Sequence, residues 1–211
     1  MMVSRSILVR SVIVGLMCAT LPVSAQQQEA RPAGPVQGQR GPGPEGRRLA
    51  FLVGMWEEKV SYPAGSPEQK AEEGTGRWFA RPMMGRYLQF NYEGTGSVGP
   101  YRALGVLAYD REEQNFRLFW FDDTGGVGDY RGNFVDENTL SLEHRGKVDG
   151  RDFRERISYT RVSPAEIHTK IEQAWEGGEY RVYLEAHASR TGGPPQGPLR
   201  REPAPARPPG S

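Results

Sequence analysis

The chain has 211 residues, enough for one domain of ordinary size with flanking segments. It carries 27 Lys and Arg against 26 Asp and Glu, a net charge of +1. This balance excludes a nucleic-acid binder held by overall charge alone, because neutralising phosphates needs a clustered basic surface. The single cysteine, Cys18, excludes an internal disulfide framework and any zinc or iron–sulfur site built from several cysteines.

Residues 1–25 have the pattern of a secretory signal. Arg5 and Arg10 supply the positive start, Ser11–Leu21 is apolar, and Val23–Ala25 offers a small-residue cleavage site. The apolar run is shorter than the roughly 20 residues that a membrane-spanning helix needs. We therefore expect cleavage after residue 25, export to the periplasm or beyond, and no stable membrane span afterwards. A retained anchor is the alternative.

Two flanking segments, residues 26–48 and 191–211, are rich in Gly and Pro and show no hydrophobic periodicity. Such segments cannot bury enough apolar surface to offset their ordering entropy, so we predict that both are disordered. Residues 49–190 between them hold 18 basic and 23 acidic residues, a net charge of −5, and are predicted to form the one folded domain. The flanks are basic, so an envelope interaction module that uses them is a further hypothesis, and a solvated linker is the simpler interpretation.

Residues 49–190 are predicted to be all β. In one segment Leu140, Leu142 and His144 share a face, and in another the even-numbered residues of Tyr180–Ala186 do so. Alternation with period two and short connections are typical of antiparallel strands. About ten such strands favour an up-and-down antiparallel barrel, which removes exposed edges; a sandwich is the alternative fold. The predicted strands are Phe51–Ser61, Gly74–Arg81, Arg86–Glu93, Arg102–Asp110, Asn115–Asp122, Gly128–Val135, Thr139–Arg145, Asp152–Arg161, Glu166–Trp175 and Glu179–Arg190.

Four motifs in this region resemble a known family. They are Phe51–Trp56, Arg77-Trp78 with Gly85–Leu88, Gly105–Asp110, and Trp120–Asp122. In this order they resemble a bacterial family of unknown function, domain-of-unknown-function family 1579, which is regarded as lipocalin-like within the calycin superfamily. The resemblance covers most of residues 49–190 and neither flank, and it implies a barrel but no established reaction.

The resemblance also implies structural positions. In calycins a tryptophan near the start of the first strand plugs the closed end of the barrel, and a late arginine packs across its ring. By resemblance these residues are Trp56 and Arg190 here, and Gly54 lets the backbone bend where a side chain would clash.

Motifs that carry chemistry are weak in this sequence. Gly94–Gly99 fits G-x-G-x-x-G, but Pro100 and a predicted strand follow, whereas a dinucleotide site needs a helix there. Asp122–Asp129 places three carboxylates around a Gly-rich turn without the spacing of a calcium loop. No G-x-S-x-G is present, and the many carboxylates cannot be paired without the fold. We therefore predict no catalytic and no metal residues.

A barrel of ten strands is wide enough to hold one small ligand. The strand alternation selects a candidate lining of Trp78, Trp120, Tyr130, His144 and Tyr159. The sequence thus favours an exported barrel that sequesters or carries a small hydrophobic or amphipathic molecule. A plugged barrel in which these rings are simply core, an enzyme built in the same cavity, and a homodimer stay open.

The three histidines differ in their predicted setting. His144 falls on an apolar face, so it is either a partly buried histidine or a ligand contact. Nitrobindins, a related family of ten-stranded barrels, hold haem through a histidine, and by this resemblance haem is a candidate cofactor for His144. His168 and His187 fall opposite the apolar faces of their strands and are predicted to be solvated.

Overall fold

The computed structural model of the protein describes residues 41–64, 71–96 and 99–193. Within them ten antiparallel strands close into a barrel, each pairing with its neighbours in sequence and the first pairing with the last. The predicted all-β barrel is confirmed, and the sandwich is wrong. The strands are β1 (Gly54–Tyr62), β2 (Glu72–Met83), β3 (Tyr87–Gly96), β4 (Gly99–Asp110), β5 (Asn115–Asp122), β6 (Val127–Phe134), β7 (Thr139–Val148), β8 (Arg151–Ser163), β9 (Glu166–Trp175) and β10 (Arg181–Gly192).

Several predictions concern residues outside the described part of the chain. The predicted signal at 1–25 and most of the two predicted disordered flanks lie there. No helix among the described residues is long and apolar enough to cross a membrane.

The described end of the N-terminal flank differs from the prediction, because it is helical. Helix α1 (Pro44–Arg48) leads into a 3-10 turn (Leu49–Leu52), and β1 begins only at Gly54. Pro44 stands at the start of α1 and basic residues stand in its last turn, as the helix geometry and dipole favour. The first strand thus starts three residues later than predicted.

This N-terminal segment closes one end of the barrel. Leu49 and Leu52 of the 3-10 turn are 3% and 0% exposed and pack into the core. The Arg48 guanidinium lies 3.7 Å from the ring centre of Phe134, whose ring also contacts Phe51 edge-on. Side chains fill this half of the barrel. Its buried core residues include Leu107, Phe116, Leu118, Leu140, Leu142 and Ile167.

Trp56 and Arg190 hold the closed end together. The Trp56 ring is 1% exposed, and its indole N–H donates to the Leu52 carbonyl oxygen at 3.0 Å. The Arg190 guanidinium lies 4.2 Å from the Trp56 ring centre and donates to the carbonyl oxygens of Phe51, Val53 and Pro164. One arginine thus ties β10 to the N-terminal turn and to the β8–β9 connection.

Gly54 allows this arrangement. Its φ is +146°, and a side chain there would press against the Arg190 guanidinium and lie 3.0 Å from the Gly192 carbonyl oxygen. A residue with a Cβ would therefore be both strained and obstructed.

Alternation holds along most strands, and the strand register shifts at the start of β1, near the end of β8 and at the start of β10. On β1, Trp56, Glu58 and Val60 face inward while the residues between them are exposed. On β10 the register shifts between Val182 and Leu184, so Tyr183, which is 41% exposed, and Leu184 both border the cavity, and Val182 does not. The prediction that Val182 shares the face of Leu184 is wrong, because a bulge reverses the alternation at that point.

Candidate functional site

The half of the barrel opposite the closed end is hollow. It holds a cavity of about 560 Å³ that reaches the hairpin ends at this end of the barrel. Residues beside three hairpin turns line it there: Thr95 and Gly99, Gly126 and Val127, and Lys147 and Val148. We call this end the mouth. The barrel is therefore packed in one half and hollow in the other.

Stacked aromatic rings separate the two halves. Trp56 of the closed end stacks on Trp78 at 5.2 Å between ring centres, Trp78 contacts Phe90 at 5.8 Å, and Phe90 stacks on Tyr159 at 6.2 Å. Trp78, Phe90 and Tyr159 present their other sides to the cavity. Trp78, Phe90 and Tyr159 form what we call the aromatic floor.

All five residues selected from strand alternation line the cavity, namely Trp78, Trp120, Tyr130, His144 and Tyr159. Their contact with a ligand stays a prediction. The structure adds a second set that alternation alone did not select, which includes Glu58, Tyr92, Tyr101, Phe153, Glu155 and Gln173.

Glu58 is a carboxylate buried in the wall next to the floor. Glu58 is only 8% exposed, and the Trp78 indole N–H donates a hydrogen bond to Glu58 Oε2 at 2.9 Å. The Tyr92 hydroxyl also hydrogen-bonds this carboxylate. Burial raises the pKa of Glu58, and these two hydrogen bonds oppose the rise without cancelling it. Gly76 leaves the room for this cluster, since a Cβ there would lie 2.7 Å from Glu58 Oε1.

A second carboxylate, Glu155, occupies another part of the wall on β8. The Tyr130 hydroxyl donates to Glu155 Oε1 at 2.5 Å, and the Gln173 amide donates to Oε2 at 2.7 Å. Burial, followed by the charge of Glu155, raises the pKa of Tyr130. The phenol therefore stays protonated at neutral pH and acts as a donor.

A third set of polar side chains lies between the cavity wall and the mouth. The Trp120 indole N–H donates to the Tyr101 hydroxyl at 2.9 Å, and burial raises the pKa of Tyr101 to about 12. The Asp122 carboxylate accepts hydrogen bonds from the backbone N–H groups of Thr124 and Gly126 at 3.0 and 2.8 Å. These contacts stabilise the turn between β5 and β6. No group of ligating side chains that could hold a metal ion occurs among the described residues.

The histidines occupy two different surfaces. His144 lines the cavity, and its Nδ1 donates to the Asp129 carbonyl oxygen at 3.1 Å, so Nε2 is the ring nitrogen outside this hydrogen bond. His168 and His187 lie on the outer wall with their rings stacked at 4.6 Å. Partial burial and the neighbouring His187 lower the pKa of His168, so this residue is less solvated than predicted.

The charges that face the cavity are unbalanced. Glu58, Asp122 and Glu155 are acidic, and Lys147 is the one lysine or arginine among the described lining residues. Lys147 stands at the mouth, is 66% exposed, and pairs with Asp152 at 2.5 Å. The interior is therefore aromatic and acidic.

The buried Glu58 and the partly buried Glu155 had a signal in the sequence. Glu58 falls between Trp56 and Val60 in the alternation of β1, and Glu155 falls two residues before Ile157 on β8. An acidic residue at an inward position of an alternating strand marks a polar group inside a barrel.

Comparisons with known proteins agree on the fold. The sequence pattern of a family described as Protein of unknown function (DUF1579) matches residues 41–190. No curated protein matches the sequence. Among solved structures, Rv2717c from M. tuberculosis is similar with a TM-score of 0.55 at 16% identity, over 71% of this chain and 98% of that one. At this identity the likeness shows the fold alone.

Two further solved structures are more distant. The S-type phycobiliprotein lyase CPES from Guillardia theta has a TM-score of 0.42 at 14% identity, over 74% of this chain and 100% of that one. The redesigned β-barrel mFAP0, bound to DFHBI, has a TM-score of 0.38 at 13% identity, over 66% of this chain and 99% of that one.

Proposed function

The chain belongs to the family described as Protein of unknown function (DUF1579), and from the cavity of its barrel we propose that it binds one small hydrophobic or amphipathic molecule. The cavity of about 560 Å³ carries this proposal. Its volume lies within the range of roughly 300–1,000 Å³ that is typical of small-molecule sites. The aromatic floor supplies apolar contact area, and a few polar groups in the wall supply orientation.

The form of the cavity also supports a site for a ligand rather than a core filled by side chains. Its walls are held by the closed barrel, and its floor rings are stacked on the buried Trp56 of the packed half. A site formed in advance requires little reorganisation when the ligand enters, which favours affinity. We infer sequestration or carriage of the ligand as the mechanism.

Titration with the neutral fluorescent probe N-phenyl-1-naphthylamine tests this proposal. Thr169 lines the cavity on β9 and is 8% exposed, so Thr169→Phe reduces the cavity from inside. Thr160 on β8 faces the outer wall, where it contacts Thr139, so Thr160→Phe is the matched control. We expect saturable, one-to-one binding to the wild type and to the control, and clearly weaker binding to Thr169→Phe. No saturable binding, or equal binding to all three proteins, would contradict the proposal.

Haem fits the described lining poorly. His144 offers Nε2 for an axial bond, but haem carries two carboxylates, and the cavity already holds Glu58 and Glu155. The one basic side chain among the described lining residues, Lys147, is paired with Asp152. Haemin added to the same titration therefore is expected not to displace the naphthylamine probe, and displacement with a haem absorption band would favour the haem alternative.

We also propose export. The support is the sequence of residues 1–25, with its basic start, short apolar run and small-residue site after Ala25. The intact mass of the protein recovered from the periplasm or medium of producing cells tests it. The expected mass is that of a chain starting at Gln26, and a full-length protein found only inside the cell would contradict export.

A further inference from the structure

We infer that the molecule held in the cavity carries a positive charge, as an amine or quaternary ammonium group attached to an apolar body. This inference rests on the proposed binding function and names the chemical class of its ligand. Three observations carry it. Two carboxylates lie in the cavity wall, no unpaired lysine or arginine lines the cavity among the described residues, and aromatic rings line the same cavity.

The partners of the two carboxylates are neutral. Glu58 accepts hydrogen bonds from the indole of Trp78 and the phenol of Tyr92, and Glu155 accepts from Tyr130 and the amide of Gln173. Neutral donors satisfy lone pairs but do not neutralise a negative charge. A buried carboxylate without a countercharge is costly, and it gains most from a cation placed beside it.

The arginines of the wall do not supply that cation. Arg117, Arg131 and Arg156 lie on strands that form the cavity, yet each pairs with an acidic residue outside it. No arginine is found among the described residues that line the cavity, and Lys147 at the mouth is already paired. The protein thus keeps its arginines on the outer wall and leaves the carboxyl groups of Glu58 and Glu155 without a cationic partner.

The rings add a second attraction for the same ligand class. One cavity is lined by six aromatic side chains, Trp78, Phe90, Tyr92, Trp120, Tyr130 and Tyr159. Aromatic faces carry a negative quadrupole and attract cations, most strongly where water is displaced, and aromatic cages bind quaternary ammonium groups in this way. An anionic ligand would meet both the carboxylates and the ring faces with the wrong sign of charge.

A matched pair of probes separates charge from shape. The cationic probe is naphthylethyl-trimethylammonium, and the neutral probe carries a tert-butyl group in place of the trimethylammonium group. Dissociation constants are measured by calorimetry for the wild type, for Glu155→Gln, and for Glu143→Gln. Glu143 lies on the outer face of β7, where it pairs with Arg145 at 2.6 Å, so its substitution is the control for the loss of one carboxylate.

We expect the cation to bind the wild type at least about tenfold more tightly than the neutral probe, a difference of about 1.4 kcal/mol. Glu155→Gln should weaken binding of the cationic probe more than binding of the neutral probe and so reduce this preference, and Glu143→Gln should leave the preference as it is in the wild type. If the wild type binds the neutral probe as tightly as the cationic probe, the inference is overturned while the proposed function stands. Failure of both probes to bind would count against the proposed function itself. The wild-type comparison decides the matter even if Glu155→Gln does not fold.

Discussion

Removal of the Trp56 ring should strongly destabilise the protein. A tryptophan buries roughly 150–250 Å², and at about 25 cal/mol per Å² this burial contributes about 4–6 kcal/mol. Alanine keeps part of that area, so Trp56→Ala should cost about 3–5 kcal/mol, the usual range for a large buried aromatic residue. The loss includes the hydrogen bond to Leu52 and the contact with Arg190, because the ring is 1% exposed and makes both.

Urea unfolding followed by far-ultraviolet circular dichroism measures this cost without depending on tryptophan fluorescence. Trp175 is the matched control, because it is 37% exposed and contacts Phe153 and Arg151 near the surface, so its loss should cost clearly less than the loss of Trp56. If Trp56→Ala does not fold, Trp56→Phe keeps a ring but loses the indole N–H, and should cost about 1–2 kcal/mol. Equal costs at Trp56 and Trp175 would refute the placement of Trp56 as the centre of the closed end.

Three further changes test the same reasoning. Gly54→Ala should lower stability by about 2–3 kcal/mol in urea unfolding, because φ is +146° and Arg190 occupies the space of the new side chain; an unchanged midpoint would contradict this. Arg190→Lys should cost about 2–3 kcal/mol, since a lysine cannot donate to three carbonyl oxygens and cover the Trp56 ring at once, and a lysine variant as stable as the wild type would argue against that arrangement. Burial raises the pKa of Glu58 above its ordinary value of 4.5, so its carboxyl favours folding at low pH and this contribution is lost as pH rises through the raised pKa. The stability of the wild type relative to Glu58→Gln should therefore fall as the pH rises above 4.5, and a constant or rising difference would show that Glu58 is not desolvated.

Local alternation was sufficient to predict the barrel. Strands such as Asn115–Asp122 and Glu166–Trp175 have the bounds that aromatic and β-branched runs between turn residues predicted. The short connections left antiparallel pairing as the simplest arrangement, and ten strands of this kind close on themselves. These features are local, so one sequence was enough to find them.

Tertiary contacts explain what the sequence did not predict. The segment around Leu49 has the Gly- and Pro-rich neighbours of a linker, and its helix and turn are stabilised by docking onto the barrel end rather than by helix propensity. The bulge that turns Tyr183 inward has no clear local signal. Strand alternation selected five residues that lie beside the cavity, and their role in binding stays a prediction; alternation cannot show which half of a barrel is hollow. The acids at inward positions were passed over because charged residues are usually exposed.

Native mass spectrometry of the protein, purified gently from the cells that produce and export it, tests the central claim most directly. We expect a discrete additional mass on the wild type that disappears on denaturation and is reduced or absent on Thr169→Phe. A bare protein mass, unchanged after incubation with a lipid extract of the same cells and with the naphthyl probes, would contradict a ligand-binding barrel.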